Sequence, residues 1–129
     1  MKVAVLGASN KPDRYSNMAV RLLVECGHEV YPIHPVFKEI ETGSSEKHSV
    51  KVYASLTDLP EVPNTISVYL NTESSSKIAD SILASGAQRI IFNPGAENLE
   101  LKAKAEAQGM HAIEACTLVL LKTNQFETA

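Results

Sequence analysis

Lys2-Val-Ala-Val-Leu-Gly7-Ala-Ser-Asn-Lys-Pro-Asp-Arg-Tyr-Ser16 is the stretch on which the reading of this chain turns. It opens with an apolar, β-branched-rich run that stops at a glycine, the pattern of a short strand buried on both faces. From Asn17 onward Met18, Ala19, Leu22, Leu23 and Cys26 recur at helical spacing, and Gly27 follows as a helix-ending glycine. The spacing predicts a helix of about ten residues, with Cys26 packed on its apolar face. The segment from Gly7 to Ser16 therefore joins a strand to a helix, where unbonded amides and the helix dipole favour a phosphate. Ser9 and Asn10 are candidate donors there, Arg14 can fork onto phosphate oxygens, Lys11 adds a point charge, and Gly7 lets a ligand approach the backbone. An ordinary turn with solvated cations is the plainer reading of the same residues.

Working outward, the strand and helix signals alternate. His28–Ile33 reads as a second strand, with Pro32 marking an outer position or a strand end because proline donates no ladder hydrogen bond. A loop opens at His34-Pro35. Residues 36–50 are polar, show no core-forming periodicity, and predict an exposed loop or small flap with a mobile tip within Gly43–His48. Ser55-Leu-Thr-Asp58 resembles a capping box for one helical turn ending at Pro60. Thr65–Leu70 is the third strand, and a helix from about Ser74 to Ala84 is closed by Gly86. Arg89–Phe92 is the fourth strand, Asn93–Glu97 a tight loop, and Asn98 the cap of a helix running to Gln108. His111–Glu114 is the fifth strand. Residues 117–122 predict a last short helix or an interface element, packed within the chain or across a homo-oligomer. Five apolar strands separated by helices, without hairpin signals, imply right-handed crossovers and a Rossmann-like doubly wound parallel sheet with helices on both faces. Ligands of such sheets bind beyond the carboxyl ends of the strands.

Composition sets the outer limits. A chain of 129 residues, 44% hydrophobic and 21% charged, predicts one α/β domain with a single core. Net charge is −3 with no long run of like charges, so there is no electrostatic footprint for nucleic acid. Cys26 and Cys116 form no CxxC pair and come with no secretion signal, which argues against a disulfide framework or zinc site. No apolar run approaches the roughly 20 residues needed to cross a bilayer, and the expectation is a soluble, cytoplasmic protein. His28, His34, His48 and His111 lack metal-ligand spacing. Cys116, after the fifth strand, either packs inertly or sits at a helix start where a thiol is activated.

The dinucleotide fingerprint GxGxxG is missing, since Gly7 is the loop's one glycine, and no carboxylate ends the second strand to hold an adenosine ribose. Both facts disfavour NAD. Taken together, Gly7-Ala-Ser9, Pro12, Arg14-Tyr15-Ser16, Gly27–Pro32, His34-Pro35, Tyr53–Leu56 and Asn93–Glu97 resemble the stand-alone CoA-binding domain proteins, which are similar to the nucleotide-binding domain of succinyl-CoA synthetase α subunits. The resemblance runs from Val3 to about Cys116. It implies a coenzyme A site built from successive strand ends. Gly7, Ala8, Ser9, Asn10, Lys11, Arg14, Tyr15 and Ser16 would lie near the phosphates, and His34 and Pro35 near the adenosine end. Lys38 would meet the 3′-phosphate that NAD lacks, or else is a solvated loop lysine. Asn71 and Thr72 would approach the ligand after the third strand, although either can cap the next helix. Asn93, Pro94, Gly95 and Glu97 would present the fourth loop, with Glu97 orienting that loop or touching the ligand.

No nucleophile–base pair or metal cluster is evident. The reacting histidine of succinyl-CoA synthetases falls in a part of those proteins that this chain does not match, so ligase activity is not implied. The leading expectation is a module that binds CoA or an acyl-CoA without catalysis of its own. An NAD(P)-binding or nucleotide-sensing protein, and an interaction module with a vestigial pocket, stand as alternatives.

Overall fold

The computed structural model describes residues 1–43 and 48–129. Five strands, β1 (Lys2–Leu6), β2 (Glu29–Ile33), β5 (Thr65–Val68), β6 (Arg89–Phe92) and β7 (His111–Glu114), form one parallel sheet in the order β2-β1-β5-β6-β7. The chain winds outward from β1 to β2, then returns to the other side of β1 to begin β5. Strand order therefore reverses between β1 and β5, and a crevice opens there at the carboxyl ends. The expected Rossmann-like doubly wound α/β architecture is present.

Alternation along each strand sends residues to opposite faces. Ala4, Leu6, Ile66, Val68, Ile90 and Phe92 face one core, which is completed by Ile82 of α3 (Ala79–Leu83) and by Leu101 and Ala105 of α4 (Leu99–Ala107). Val3, Val5, Val30 and Ile91 face the other, against Val20 and Leu23 of α1 (Tyr15–Glu25) and Leu120 and Leu121 of α5 (Thr117–Lys122). With α5 docked on α1, Leu118, Leu120 and Leu121 are buried within the chain, and Val119 alone of that run points outward.

Four local expectations are corrected. First, α1 starts at Tyr15, two residues earlier than predicted, and buries Ser16 and Asn17 on the same stripe as Ala19, Val20 and Leu23. The shift leaves Cys26 as the exposed C-cap, not a packed thiol. Second, the helix predicted from Ser74 begins at Thr72 and is broken at Ile78 into α2 (Thr72–Lys77) and α3; the Ile78 N–H donates to the Ser75 carbonyl, three residues back. Third, residues 36–50 do have a core pattern. β3 (Glu39–Glu41) and β4 (Ser49–Lys51) pair antiparallel, and their central residues Ile40 and Val50 are buried against the α1 face. A three-residue alternation is too short to stand out from a polar stretch. The predicted mobile tip falls largely on residues 44–47, outside the described residues. Fourth, Ser55 heads the 3-10 turn Leu56–Asp58 without a side-chain bond to a turn amide; its hydroxyl bonds to Thr57 and Asp58 side chains instead.

Pro32 lies on the outermost strand and near its end, where its missing N–H costs nothing, and its carbonyl accepts from the Tyr53 N–H at 2.9 Å. At the amino ends of the strands Arg89 is only 5% exposed. It donates to Thr65 Oγ1 at 2.9 Å and to the carbonyls of Phe126 and Ala129, and its guanidinium lies 4.6 Å from the Phe126 ring centre. This one side chain ties the C-terminal segment to two strands. Arg89→Met keeps the apolar stem but strands those carbonyls, so it should cost about 2–4 kcal/mol. Urea unfolding should show a lower midpoint with an unchanged slope; an unmoved midpoint would rule out the tie.

Candidate functional site

Where β1 ends, Gly7 adopts φ +88°, and both its N–H and that of Ala8 donate to the Ile33 carbonyl at 3.1 Å. The first loop is thereby tied to the end of β2. A side chain is crowded at this crossing: a Cβ on Gly7 would lie 2.9 Å from Leu70 Cδ2 and 3.2 Å from the Tyr69 carbonyl, and both would have to give way. Downstream the loop is stitched to α1. The Ser9 N–H donates to Ser16 Oγ at 3.0 Å, and Asn17 Nδ2 donates to the Ser9 carbonyl at 2.8 Å. Arg21 then donates to Asn17 Oδ1 and to the Pro12 carbonyl, both at 2.8 Å. Asn17 and Arg21 were missed by sequence reasoning, although their i,i+4 spacing behind a polar loop is a readable signal.

Two hollows open on this crossing and share Gly7 and His34 as their common wall. One, about 420 Å³, is apolar, walled by Leu6, Ile33, Leu56, Leu70 and Ile78, with Ser55, Ser74 and Ser81 also on its lining. The other, about 390 Å³, is polar and holds Ser9, Lys11, Arg14, Tyr15 and Ser16 opposite Phe37 and Tyr69. No carboxylate among the described residues lines either lobe. Lys11 and Arg14 make no ion pair among the described residues. No side chain caps the start of α1 and no acid sits in its first turn, so the positive end of an eleven-residue helix faces the polar lobe unneutralised. Such an arrangement can hold an anion.

The structure brings together Gly7, Ser9, Lys11, Arg14, Tyr15, Ser16, His34 and Pro35 around these lobes. Their individual roles differ from expectation. The Ser9 N–H is taken by Ser16 and its Oγ accepts from the Lys11 N–H at 3.1 Å, so what Ser9 has left to donate is its hydroxyl proton. Ala8 is fully buried with its N–H spent on Ile33. Asn10 is exposed, and Tyr15 is 72% exposed at the mouth. Lys38 is exposed and lines neither lobe; its carbonyl accepts from the Val52 N–H. Phe37 and Tyr69 line the polar lobe without having been singled out in the sequence.

Residues beyond the third and fourth parallel strands serve the scaffold. Asn71 caps α2 by accepting from the Ser74 N–H at 2.8 Å, and Thr72 Oγ1 donates to the Glu97 carbonyl. Asn93, 1% exposed, donates through Nδ2 to Ser67 Oγ and to the Val68 carbonyl, both at 2.9 Å, while its Oδ1 accepts from the Thr117 N–H at 2.8 Å. Both partners of its Nδ2 and one of its Oδ1 lie within the protein, so its amide has no donor left over. Glu97 orients its loop by accepting from the Gly95 N–H with both oxygens, at 3.0 and 3.2 Å, while Pro94 is an exposed turn residue. Asn98 caps α4 as expected.

Two titratable groups in the walls are perturbed. Burial holds the His34 imidazole below its usual value. Burial, and after it the neighbouring Cys116, pushes the Tyr69 phenol well above the ordinary range. The Ser67 and Thr117 hydroxyls that face Tyr69 bond to each other at 2.7 Å, and the buried phenol oxygen has no partner within hydrogen-bond geometry among the described residues.

A doubly wound parallel sheet with a crevice at its switch point defines the Rossmann-like class of α/β proteins. Residues 1–122 match the family described as CoA binding domain, and the chain belongs to that family. It is 25% identical over 112 residues to the uncharacterized protein YneT of Bacillus subtilis, covering 87% of this chain and 78% of that one. The crystal structure of an uncharacterized protein superposes with a TM-score of 0.82 at 29% identity, over 97% of both chains. A dinucleotide forming acetyl-coenzyme A synthetase 1 of Ca. Korarchaeum cryptofilum shares the fold, with a TM-score of 0.68 at 24% identity over 86% of this chain and 25% of the synthetase.

Because Gly7 has a positive φ at a crossing that crowds a Cβ, Gly7→Ala should lower stability by about 1–3 kcal/mol. Thermal or urea unfolding measures this, and a variant as stable as the parent would show that the crossing yields to a methyl group.

Proposed function

We propose that the two-lobed crevice binds coenzyme A or an acyl-CoA, and that the chain catalyses no reaction of its own and works in the cytoplasm. The observation that carries the reading is the polar lobe: the uncapped start of α1 together with Lys11 and Arg14, and no carboxylate on its lining. The diphosphate sits there, because a multiply charged ester draws on the first-turn amides and on two unpaired cations at once. The adenosine portion turns across His34 and Pro35 toward the apolar lobe, which gives a flat base a dry wall. Lys38 follows Pro35 by three residues on the segment leading from that lobe, and its exposed ammonium meets the 3′-phosphate at the solvent boundary.

Titration calorimetry tests the phosphate site. Arg14→Ala should weaken CoA binding by about 1–3 kcal/mol, the range of a charge-assisted contact. An unchanged affinity removes Arg14 from the site. A second comparison tests the 3′-phosphate. CoA should raise the melting temperature of the protein more than dephospho-CoA or NAD at equal concentration, and Lys38→Ala should erase the difference between CoA and dephospho-CoA. Equal shifts by CoA and dephospho-CoA in the parent protein, with a larger one from NAD, would overturn the CoA preference.

A further inference from the structure

His34 stands where the two lobes meet, and its surroundings define its chemical state. The Val36 N–H lies 3.1 Å from His34 Nδ1, and a backbone amide can only donate. Nδ1 is therefore bare, and the ring carries its proton on Nε2. The same ring stacks on Phe37 with centroids 4.2 Å apart and planes 23° from parallel, and Phe37 lines the polar lobe. The His34 N–H donates to the Tyr53 carbonyl at 2.9 Å, which anchors the backbone while the ring holds the turn that follows.

We propose that His34 is a positioning residue that works only as the neutral imidazole: accepting the Val36 amide and stacking on Phe37, it holds the wall common to both lobes, and a proton on Nδ1 releases that wall and weakens nucleotide binding. This rests on the reading of the crevice as a CoA site. Burial disfavours the charged ring, and the charged and titratable groups of the neighbouring elements are these. Lys11 and Arg14 share the polar lobe with it, Lys38 is on its own segment, and Lys51 lies over the Tyr53 ring at 5.0 Å. Tyr69 and Tyr15 line the same lobe, and burial pushes the Tyr69 phenol up. The carboxylate of Asp58 is engaged by the Ser55 hydroxyl at the far side of the apolar lobe.

The sign follows from linkage. Burial places the folded midpoint of His34 below its ordinary 6.5, so the folded state takes up the proton less readily than the unfolded chain. The wall is intact above the ordinary value and is lost as pH falls through the lower, folded midpoint.

His34→Asn removes the titration and the Phe37 stack but keeps an acceptor, because an asparagine can offer Oδ1 to the amide two residues on and does not titrate, so pH dependence and not absolute affinity is the readout. CoA binding to the parent and to His34→Asn is measured by calorimetry from about pH 8 to about pH 5, the range in which a histidine changes charge. The variant loses the ring that stacks on Phe37 and lines both lobes, so each protein's own affinity at the alkaline end is its reference. On acidification the parent should lose affinity relative to the variant, by up to about tenfold per pH unit below the midpoint. The ratio cancels protonation of the ligand itself. A ratio that stays flat, or a parent that binds relatively tighter in acid, overturns the proposal. Nitrogen-15 NMR of the free protein gives a readout that needs no ligand: the ring should be the Nε2–H tautomer, and the Val36 amide should titrate with the same midpoint as the ring. A Val36 amide indifferent to that titration overturns the proposal even if CoA binds. Failure of CoA to bind either protein at any pH would instead count against the nucleotide reading, with the NMR still deciding the coupling.

Discussion

One carbonyl, that of Ile33, accepts two amides, Gly7 and Ala8, and the rest of the crevice depends on that junction. It forces the chain leaving β1 to cross the end of β2 before turning into α1. The crossing holds a positive φ and crowds any side chain, a combination that glycine meets at the least cost. Ser16, Asn17 and Arg21 of α1 then reach back and consume the polar groups of the loop one by one. As a result the anion-attracting element is not the loop backbone as a whole. The first turn of α1, with Lys11 and Arg14 beside it, is among the groups this bonding leaves over.

The same logic of saturation separates scaffold from site elsewhere at the carboxyl ends. Asn93 closes a buried network that joins β5, β6 and the start of α5 through Ser67, Val68 and Thr117. Such a network is stable in a low-dielectric interior only when each member is bonded, and Asn93 meets that condition entirely with its own chain. Tyr69 is the exception beside it, a buried phenol with no partner within hydrogen-bond geometry among the described residues, while Ser67 and Thr117 bond to each other. At the opposite pole Arg89 fulfils a purely structural role by gathering carbonyls of the C-terminal segment. Polar residues are thus closed into networks at both ends of the sheet, and the polar lobe holds two cations, Lys11 and Arg14, that make no ion pair among the described residues.

Membership of the CoA binding domain family and the sheet order agree with what the strand–loop–helix opening implied. Much of the rest was legible only in outline. Asn71 and Asn98 were readable as caps because an N-cap depends on residues three positions away. The β3–β4 pair was not, because three residues per strand carry too little alternation and their burial comes from α1-face residues far along the chain. The internal network of Asn93 was not legible, because its partners lie 24 to 26 residues away and leave no mark on local sequence.

The sequence alone determined the number of parallel strands, their alternation with helices, and the placing of a glycine-led, basic loop at the first strand's end, because apolar periodicity and helix-stop glycines are local properties. Tertiary structure decided which loop amides stay unbonded, which asparagines are spent internally, and that His34 joins an apolar lobe to a polar one. Those outcomes depend on hydrogen bonds between segments distant in the chain, whose geometry exists only once the sheet has brought β1, β2 and β5 side by side.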